Sequence, residues 1–284
     1  MVKRRRWKSK LQVRGVIMKK VVKFGGSSLA NAEQFQKVGD IIRSDESRRY
    51  VVPSAPGKRF DEDIKVTDML YGCYDAASKG EDITEKINAI KARYYEIIKG
   101  LGLSLSLEEE FKKIDEDFRA QAGIQYAASR GEFLNGKIMA AYLGYDFVDA
   151  ASVIRFDKAG NLEAEETNKL LSKKLSKSQH AVIPGFYGAC ADGTVKTFSR
   201  GGSDVTGSLV AKAIHADIYE NWTDVSGFLV TDPRIVHNPE PIEAITYREL
   251  RELSYMGATV LHEDAIFPVR KEGIPINIRN TNSP

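Results

Sequence analysis

The sequence predicts an α/β fold in which a mostly parallel central sheet is covered by helices on both faces. Short apolar segments alternate with longer helical patterns along most of the chain, and this alternation is typical of parallel sheets between helix layers. The 284 residues, of which 42% are hydrophobic and 29% charged, suffice for one large domain or two modest ones. We find no internal repeat and no low-complexity linker, which favours one domain with two lobes.

Strands are predicted where short apolar segments end in small or polar residues. The first, Lys20–Phe24, ends at Gly-Gly-Ser-Ser, and the second, Tyr50–Val52, ends near Ser-Ala-Pro-Gly. Ligands of such sheets bind at the carboxyl ends of the strands. The other predicted strands are Asp146–Val148, Ser152–Phe156, Ala181–Pro184, Val195–Phe198, Ala216–Glu220, Gly227–Val230 and Pro275–Ile278.

Helices are predicted where apolar residues recur at three- and four-residue spacing. They fall between most of the strands, as the fold class requires. Their ranges are Asn31–Ser44, Val66–Ser78, Thr84–Ile98, Leu107–Gln121, Gln125–Leu143, Thr167–Leu175, Ser203–Ile214, Tyr247–Tyr255 and Asp264–Lys271.

The net charge of +3 is unevenly distributed. Residues 1–17 carry seven Lys or Arg and no acid, whereas the rest of the chain has 35 basic and 39 acidic residues. The body of the chain is therefore not a basic nucleic-acid binder. We interpret residues 1–17 as a solvated, disordered leader, with a nucleic-acid or membrane-surface tail as the alternative. Gln12 and Arg14 interrupt the apolar core that a secretory signal needs.

Cysteine content and hydropathy exclude two further classes of protein. Cys73 and Cys190 cannot build a disulfide framework, and neither has a second Cys or a His at metal-ligand spacing. The longest charge-free apolar segments, such as residues 181–191, are too short to span a bilayer. A reducing cytoplasm is the expected compartment.

The strongest local motif is K-F-G-G-S-S at residues 23–28, which begins with the last two residues of the first predicted strand. Two glycines allow close approach of a ligand, and successive N–H groups can form an anion-binding nest. Lys23 adds a point charge, which completes the parts needed to hold a polyphosphate. The spacing matches neither a Walker A loop nor a Rossmann fingerprint. A tight turn with a solvated lysine is the alternative.

Two further motifs lie in the second half of the chain. S-R-G-G-S-D-V-T-G at residues 199–207 places a glycine pair before a helix whose N–H groups can bind an anion, and Arg200 would grip a carboxylate. Ser203 or Asp204 could instead simply cap that helix. The other motif is T-D-V-S-G-F-L-V-T-D-P-R at residues 223–234, which could surround a base and phosphates. A plain hairpin would have a similar sequence.

The fourth motif is S-R-G-E at residues 129–132, within an otherwise apolar helical pattern. Glu132 is expected on the core side of that helix. A buried carboxylate needs a partner. A substrate ammonium group is one candidate, and an internal ion pair with Lys137 is the other.

In their order and spacing these motifs resemble the aspartate kinase family of the amino-acid kinase superfamily, from Lys19 to Pro284. S-A-P-G, P-G-F-Y-G, T-D-V-S-G and T-D-P-R belong to the same set. The resemblance implies a three-layer αβα sandwich of the carbamate kinase-like type. Over residues 18–284 it implies one catalytic domain, with an N-lobe that binds aspartate and a C-lobe that binds the nucleotide.

The resemblance also implies a reaction. The γ-phosphoryl group of ATP, with Mg²⁺, would pass to the side-chain carboxylate of L-aspartate, which gives 4-phospho-L-aspartate on the route to lysine, threonine and methionine. A carboxylate with a pKa of about 3.9 is already ionised at neutral pH and needs no general base. None of the four histidines lies in a glycine-rich motif.

Site residues follow from the family pattern, residue by residue. Lys23 and Asp204 are assigned to catalysis, where Lys23 contacts the phosphates and Asp204 orients Lys23 or the metal-bound phosphates. Glu132 would bind the ammonium group of aspartate and Arg200 its non-reacting carboxylate, with Thr67, Phe186 and Ser203 lining the pocket. ATP is assigned to Lys23, Gly25, Gly26, Ser28, Thr223, Asp224, Phe228 and Arg234. No protein ligand to a metal is assigned.

Three positions depart from the pattern. Thr259 stands where many members have a lysine that reaches the nucleotide, Glu263 replaces a frequent proline, and Phe228 replaces a frequent tyrosine. The family's regulatory ACT domains are expected to be absent, so the activity should not respond to lysine or threonine. A homodimer is left open, and no nucleic-acid or membrane partner is expected. The alternatives are another kinase of the superfamily, acting on glutamate, acetylglutamate or a nucleotide monophosphate, and a non-catalytic ligand-binding remnant.

Overall fold

The structure is a computed structural model that describes residues 18–199, 201–225, 227, 236–237, 239–240, 242, 245–255 and 263–284. Over these ranges the strands are β1 (Lys20–Phe24), β2 (Arg48–Pro53), β3 (Asp146–Phe147), β4 (Arg155–Phe156), β5 (Ala181–Val182), β6 (Tyr187–Cys190), β7 (Val195–Thr197), β8 (Ile218–Thr223) and β9 (Ile276–Asn280).

Six of these strands form the central sheet, in the order β3-β5-β2-β1-β8-β9. Every neighbouring pair in it is parallel. At the centre, Phe24 at the end of β1 lies beside Pro53 of β2 and Trp222 of β8. The carboxyl ends of these three strands therefore lie side by side, and the loops that leave them can share one site.

The described helices are α1 (Ala32–Arg43), α2 (Val66–Ser78), α3 (Thr84–Gly100), α4 (Glu108–Arg119), α5 (Ile124–Leu143), α6 (Ala150–Val153), α7 (Ala164–Leu175), α8 (Gly202–Ala213), α9 (Tyr247–Tyr255) and α10 (Glu263–Glu272). Every predicted helix is present with its ends within three residues of the prediction. None of the helices in the described ranges is long and apolar enough to cross a membrane.

Two hydrophobic cores lie on opposite faces of the central sheet. Val22 of β1 belongs to the core formed with α1–α5, whereas its neighbour Val21 belongs to the core formed with α6–α8 and α10. Val51 and Val52 of β2 divide between the two cores in the same way. Both faces of the sheet are thus covered by helices, which confirms the predicted three-layer α/β fold.

The predictions fail in one region, between β3 and β7. The segment predicted as one strand, Ser152–Phe156, is the end of α6 followed by the short β4. Asp149 caps α6 by accepting the Ala151 N–H at 3.0 Å, which starts a helix where the apolar pattern suggested a strand. Strand β6 was not predicted. It pairs with β4 and β7 in a separate three-stranded sheet.

The predicted strand Gly227–Val230 lies outside the described residues except for Gly227.

Candidate active site

The glycine-rich turn after β1 packs between the end of β8 and the loop that follows β2. Gly25 donates its N–H to the Trp222 carbonyl at 3.0 Å, and the Gly26 carbonyl accepts the Gly57 N–H at 2.9 Å. A Cβ on Gly57 would lie 2.6 Å from the Gly26 carbonyl carbon, and one on Gly26 would lie 2.9 Å from the Ala55 oxygen. Only glycine fits at both positions, so this close approach explains the pair of glycine motifs.

The N–H groups of Gly26 and Ser27 have no acceptor among the described residues. They are therefore the donors of this turn that an anion can use. The Gly25 N–H is already bonded, and the buried Ser28 hydroxyl lies 2.7 Å from the Thr281 hydroxyl. The assignment of Gly25 and Ser28 to ATP stays a prediction.

Lys23 and Asp204 meet beside this turn. The Lys23 side chain is almost buried, with 8% of the residue exposed, and its Nζ lies 2.7 Å from Asp204 Oδ1. Asp204 lies in the first turn of α8, where the positive end of the helix dipole favours a carboxylate. The helix begins after Gly201, whose φ of +54° is in the left-handed region that glycine adopts readily. The structure thus brings together the two residues predicted to be catalytic.

Glu132 is buried in α5 and has no cation partner among the described residues. Only 6% of the residue is exposed, and Oε2 has no hydrogen-bond partner there. Burial raises the pKa of Glu132 to about 8, against a smaller lowering by the backbone amide of Ala55. The alternative of an ion pair with Lys137 is wrong, because Lys137 pairs with Glu110 of α4.

The neighbouring Arg130 does not neutralise Glu132 directly. Its guanidinium carbon lies 4.5 Å from the ring centres of both Tyr126 and Phe133, and it donates to Ser129 Oγ at 2.9 and 3.1 Å. These contacts engage the guanidinium, which forms no ion pair with Glu132 among the described residues, and its charge still contributes to lowering the pKa of Glu132. The Glu132 carboxyl group therefore has an oxygen without a hydrogen-bond partner among the described residues.

A cavity of about 560 Å³ connects the glycine-rich turn with Glu132. Its walls come from the carboxyl ends of β1, β2 and β8 and from the start of α2. The Thr223 hydroxyl, at the end of β8, donates to the exposed Asp224 at 3.1 Å. The predicted site residues among the lining are Gly26, Thr67, Glu132 and Asp224.

Phe186 and Ser203 lie together where the loop after β5 crosses the start of α8. Phe186 has a φ of +78°, a strained conformation for a residue with a side chain, and its N–H donates to Thr206 Oγ1 at 3.1 Å. Gly185 packs so closely on Ser203 that a Cβ there would collide with it. Strain of this kind is concentrated at functional sites.

Three predicted site residues, Arg200, Phe228 and Arg234, lie outside the described residues, as does Thr259.

Two features of the site were missed by the sequence analysis. Asn221 of β8 donates its Nδ2 to Asp204 Oδ1 at 3.0 Å, and a polar residue in the middle of a buried strand was the available signal.

Arg93 of α3 donates to the Gly57 carbonyl at 3.0 Å and to Asp63 Oδ2 at 2.9 Å. Its signal was an arginine on the apolar face of a helix. Arg93 and Asp63 thus anchor the loop that carries Gly57.

The sheet order, the glycine-rich turn and the paired Lys23 and Asp204 occur together in a chain whose family is shown by comparison with known proteins. The chain belongs to the amino acid kinase family, which it matches over residues 18–280. It is 40% identical to aspartokinase 3 of Bacillus subtilis over 281 residues, a match that covers 93% of this chain and 62% of the relative.

Two solved structures show the same similarity. The crystal structure of Clostridium acetobutylicum aspartate kinase matches with 54% identity and a TM-score of 0.90, over 93% of this chain and 61% of that one. Escherichia coli aspartokinase III, in complex with aspartate and ADP, matches with 27% identity and a TM-score of 0.80, over 94% of this chain and 62% of that one. The resemblance to aspartate kinases is confirmed, and the chain spans less than two thirds of the length of these relatives.

Proposed function

We propose that this chain transfers the γ-phosphoryl group of ATP to the side-chain carboxylate of L-aspartate, which yields ADP and 4-phospho-L-aspartate. The observation that carries the proposal is the buried Glu132 carboxylate, whose Oε2 is unpartnered among the described residues and which lines the same cavity as the glycine-rich turn. The similarity to aspartate kinases, one of them in complex with aspartate and ADP, supports the choice of substrates.

Glu132 selects an amino acid with a free ammonium group. An ammonium that replaces the missing partner would restore the ionised carboxylate and satisfy the buried oxygen. An acylated amino acid has no such charge and would leave Glu132 unpaired. We assign the non-reacting carboxylate of the substrate to Arg200, and Thr67, Phe186 and Ser203 to the walls of the aspartate site.

The chemical obstacle is the repulsion between two anionic reactants. Two unit charges 4 Å apart repel by roughly 4 kcal/mol at an effective dielectric of 20. The Lys23 ammonium and the N–H groups of Gly26 and Ser27, which have no acceptor among the described residues, supply positive charge where the phosphates would lie. Positioning and electrostatic stabilisation of this kind are the main means of catalysis in phosphoryl transfer.

The reaction needs no proton transfer. A carboxylate oxygen of aspartate forms a bond to the γ-phosphorus, and the bond from that phosphorus to the β–γ bridging oxygen breaks. ADP leaves with the bonding electron pair. Because the attacking carboxylate is already ionised at neutral pH, no residue has to act as a general base.

Mg²⁺ enters this site as part of the nucleotide substrate. Magnesium in such sites is held by substrate phosphates, water and one or two carboxylates. The exposed Asp224 lies in the cavity wall, so a carboxylate oxygen is available beside the phosphates. We assign Thr223, Asp224, Phe228 and Arg234 to the nucleotide site. A cytoplasmic location and a homodimer stay predictions.

Trapping the acyl phosphate with hydroxylamine tests the proposed function. With ATP and Mg²⁺ we expect a hydroxamate from L-aspartate and little from L-glutamate, N-acetylglutamate or N-acetylaspartate. A nucleotide monophosphate should not stimulate ADP formation. Turnover with one of the other acceptors but not with aspartate would identify a different kinase of the family. ATP binding without any turnover would identify a ligand-binding protein.

A further inference from the structure

Asn221 lies at the junction of the two residues assigned to catalysis. It is 3% exposed, in the middle of β8, and pairs in register with Lys23 of β1. Its Nδ2 donates to Asp204 Oδ1 at 3.0 Å. The same oxygen lies 2.7 Å from Lys23 Nζ. A single carboxylate oxygen is therefore held by a neutral donor and a charged donor at once.

The net contribution of Asn221 to fold stability is small, because its bond to the charged Asp204 is offset by a buried oxygen without a partner among the described residues. The Oδ1 of Asn221 is buried and has no partner among the described residues. An unpaired buried acceptor destabilises a fold, and an apolar side chain of similar shape would avoid that cost. The benefit of the asparagine must therefore come from the hydrogen bond that its side chain makes among the described residues, the bond to Asp204.

We propose that Asn221 is a positioning residue that fixes the Asp204 carboxylate so that Lys23 stays beside the glycine-rich turn. Lys23 Nζ lies 3.7 Å from the position that a Cβ of Gly25 would occupy. With Lys23 as its only side-chain partner, the Asp204 carboxylate could rotate and draw the ammonium toward α8. Asn221 holds Oδ1 in place, and Tyr219 fixes the backbone by donating its hydroxyl to the Asp204 carbonyl at 3.2 Å. The effect on catalysis rests on the proposed function.

The test compares Asn221→Leu, which is close in size and cannot donate, with Asn277→Leu as the matched control. Asn277 is exposed on the adjacent strand β9. For Asn221→Leu we expect kcat with aspartate to fall at least tenfold and KM for aspartate to stay within twofold, with a thermal midpoint that is unchanged or higher. The control should keep the wild-type kcat. A merely structural asparagine would give the opposite result, a lower thermal midpoint and an unchanged kcat.

A second measurement separates the positioning role from the proposed reaction. The rate at which an amine-reactive acylating reagent modifies Lys23, followed by mass spectrometry, needs no turnover. We expect this rate to rise at least threefold in Asn221→Leu and to stay at the wild-type value in Asn277→Leu. If the wild-type chain does not phosphorylate aspartate, the proposed function fails, and the labelling rates still decide the role of Asn221.

Asn221→Ser, whose side chain is too short to reach Asp204, serves as the second variant and should show the same labelling change. Wild-type labelling rates in both Asn221 variants, or failure of both to fold, would overturn the proposal.

Discussion

The buried carboxyl group of Glu132 should couple amino-acid binding to pH. Because burial raises the pKa of Glu132 to about 8, the group is mostly protonated in the ligand-free protein at pH 6, whereas an ammonium ligand needs the ionised form. Binding below pH 8 therefore releases a proton. From the ionised fraction we expect the affinity for L-aspartate to rise roughly fiftyfold between pH 6 and pH 8.

Glu132→Gln removes this titration and also changes the stability of the fold. In the unfolded chain the carboxyl group loses its proton near its ordinary pKa of 4.5, whereas the folded protein retains it to about pH 8. The native carboxyl group therefore destabilises the fold increasingly as pH rises through this interval, by about 5 kcal/mol above pH 8. We expect Glu132→Gln to be more stable than the wild type at pH 8, with a difference that vanishes below pH 4.5.

Isothermal titration with L-aspartate at pH 6, 7 and 8, in buffers of different ionisation enthalpy, measures affinity and proton release together. Glu132→Gln should bind weakly at each pH, with no proton release. Urea unfolding at the same pH values measures the stability difference. Glu109→Gln, at an exposed position of α4, is the control and should behave as the wild type. Wild-type affinity that is constant from pH 6 to pH 8, without proton release, would refute the role of Glu132.

The remaining predictions concern the glycine-rich turn and the neighbouring loop that carries Gly57. Lys23→Ala should lower kcat by about 100-fold or more while circular dichroism shows a folded protein, and near-normal turnover would contradict its assignment. Gly57→Ala should weaken ATP binding and lower stability by about 1–3 kcal/mol, because its Cβ has no space. Gly72→Ala on α2, with nothing within 4 Å, should raise stability slightly in the same melts.

Arg93→Met should lower the free energy of unfolding by about 1–3 kcal/mol at pH 7, measured in urea, because it removes the more buried of the two arginines that pair with Asp63 and leaves only Arg59. Hydrogen bonds from Arg59 and the charge of Arg93 hold the pKa of Asp63 well below its ordinary value. This contribution to stability is present above pH 4 and is lost on acidification. The wild type should therefore lose more stability than the variant as pH falls below 4, and equal losses would contradict this role for Arg93.

The sequence predicts the layers of this fold well because each strand and helix has its own local pattern. The apolar segment Lys20–Phe24 and the three- and four-residue spacing in Val66–Ser78 gave boundaries identical to those observed. The region around Ala150–Val153 was misjudged because one capping side chain, Asp149, decided between helix and strand. Whether this segment forms a helix or a strand depends on a single hydrogen bond, and the spacing of the apolar residues does not indicate that bond.

The site likewise contains residues that the sequence predicted and contacts that it did not predict. Motifs that need glycine or a buried charge, such as residues 23–28 and Glu132, were visible in the sequence. The supporting contacts were not, because Asn221 of strand β8 reaches Asp204 of helix α8 and Arg93 reaches Gly57 from a distant helix. Contacts between residues so far apart in the chain are set by the assembled sheet, and no local spacing reports them.

A crystal structure of the chain with L-aspartate and a non-hydrolysable ATP analogue would test most directly whether one cavity brings the two anions together. We expect the substrate ammonium within hydrogen-bond distance of Glu132 Oε2, and a phosphate oxygen within hydrogen-bond distance of Lys23 Nζ. An aspartate bound away from Glu132, or a triphosphate that does not contact Lys23, would contradict the mechanism.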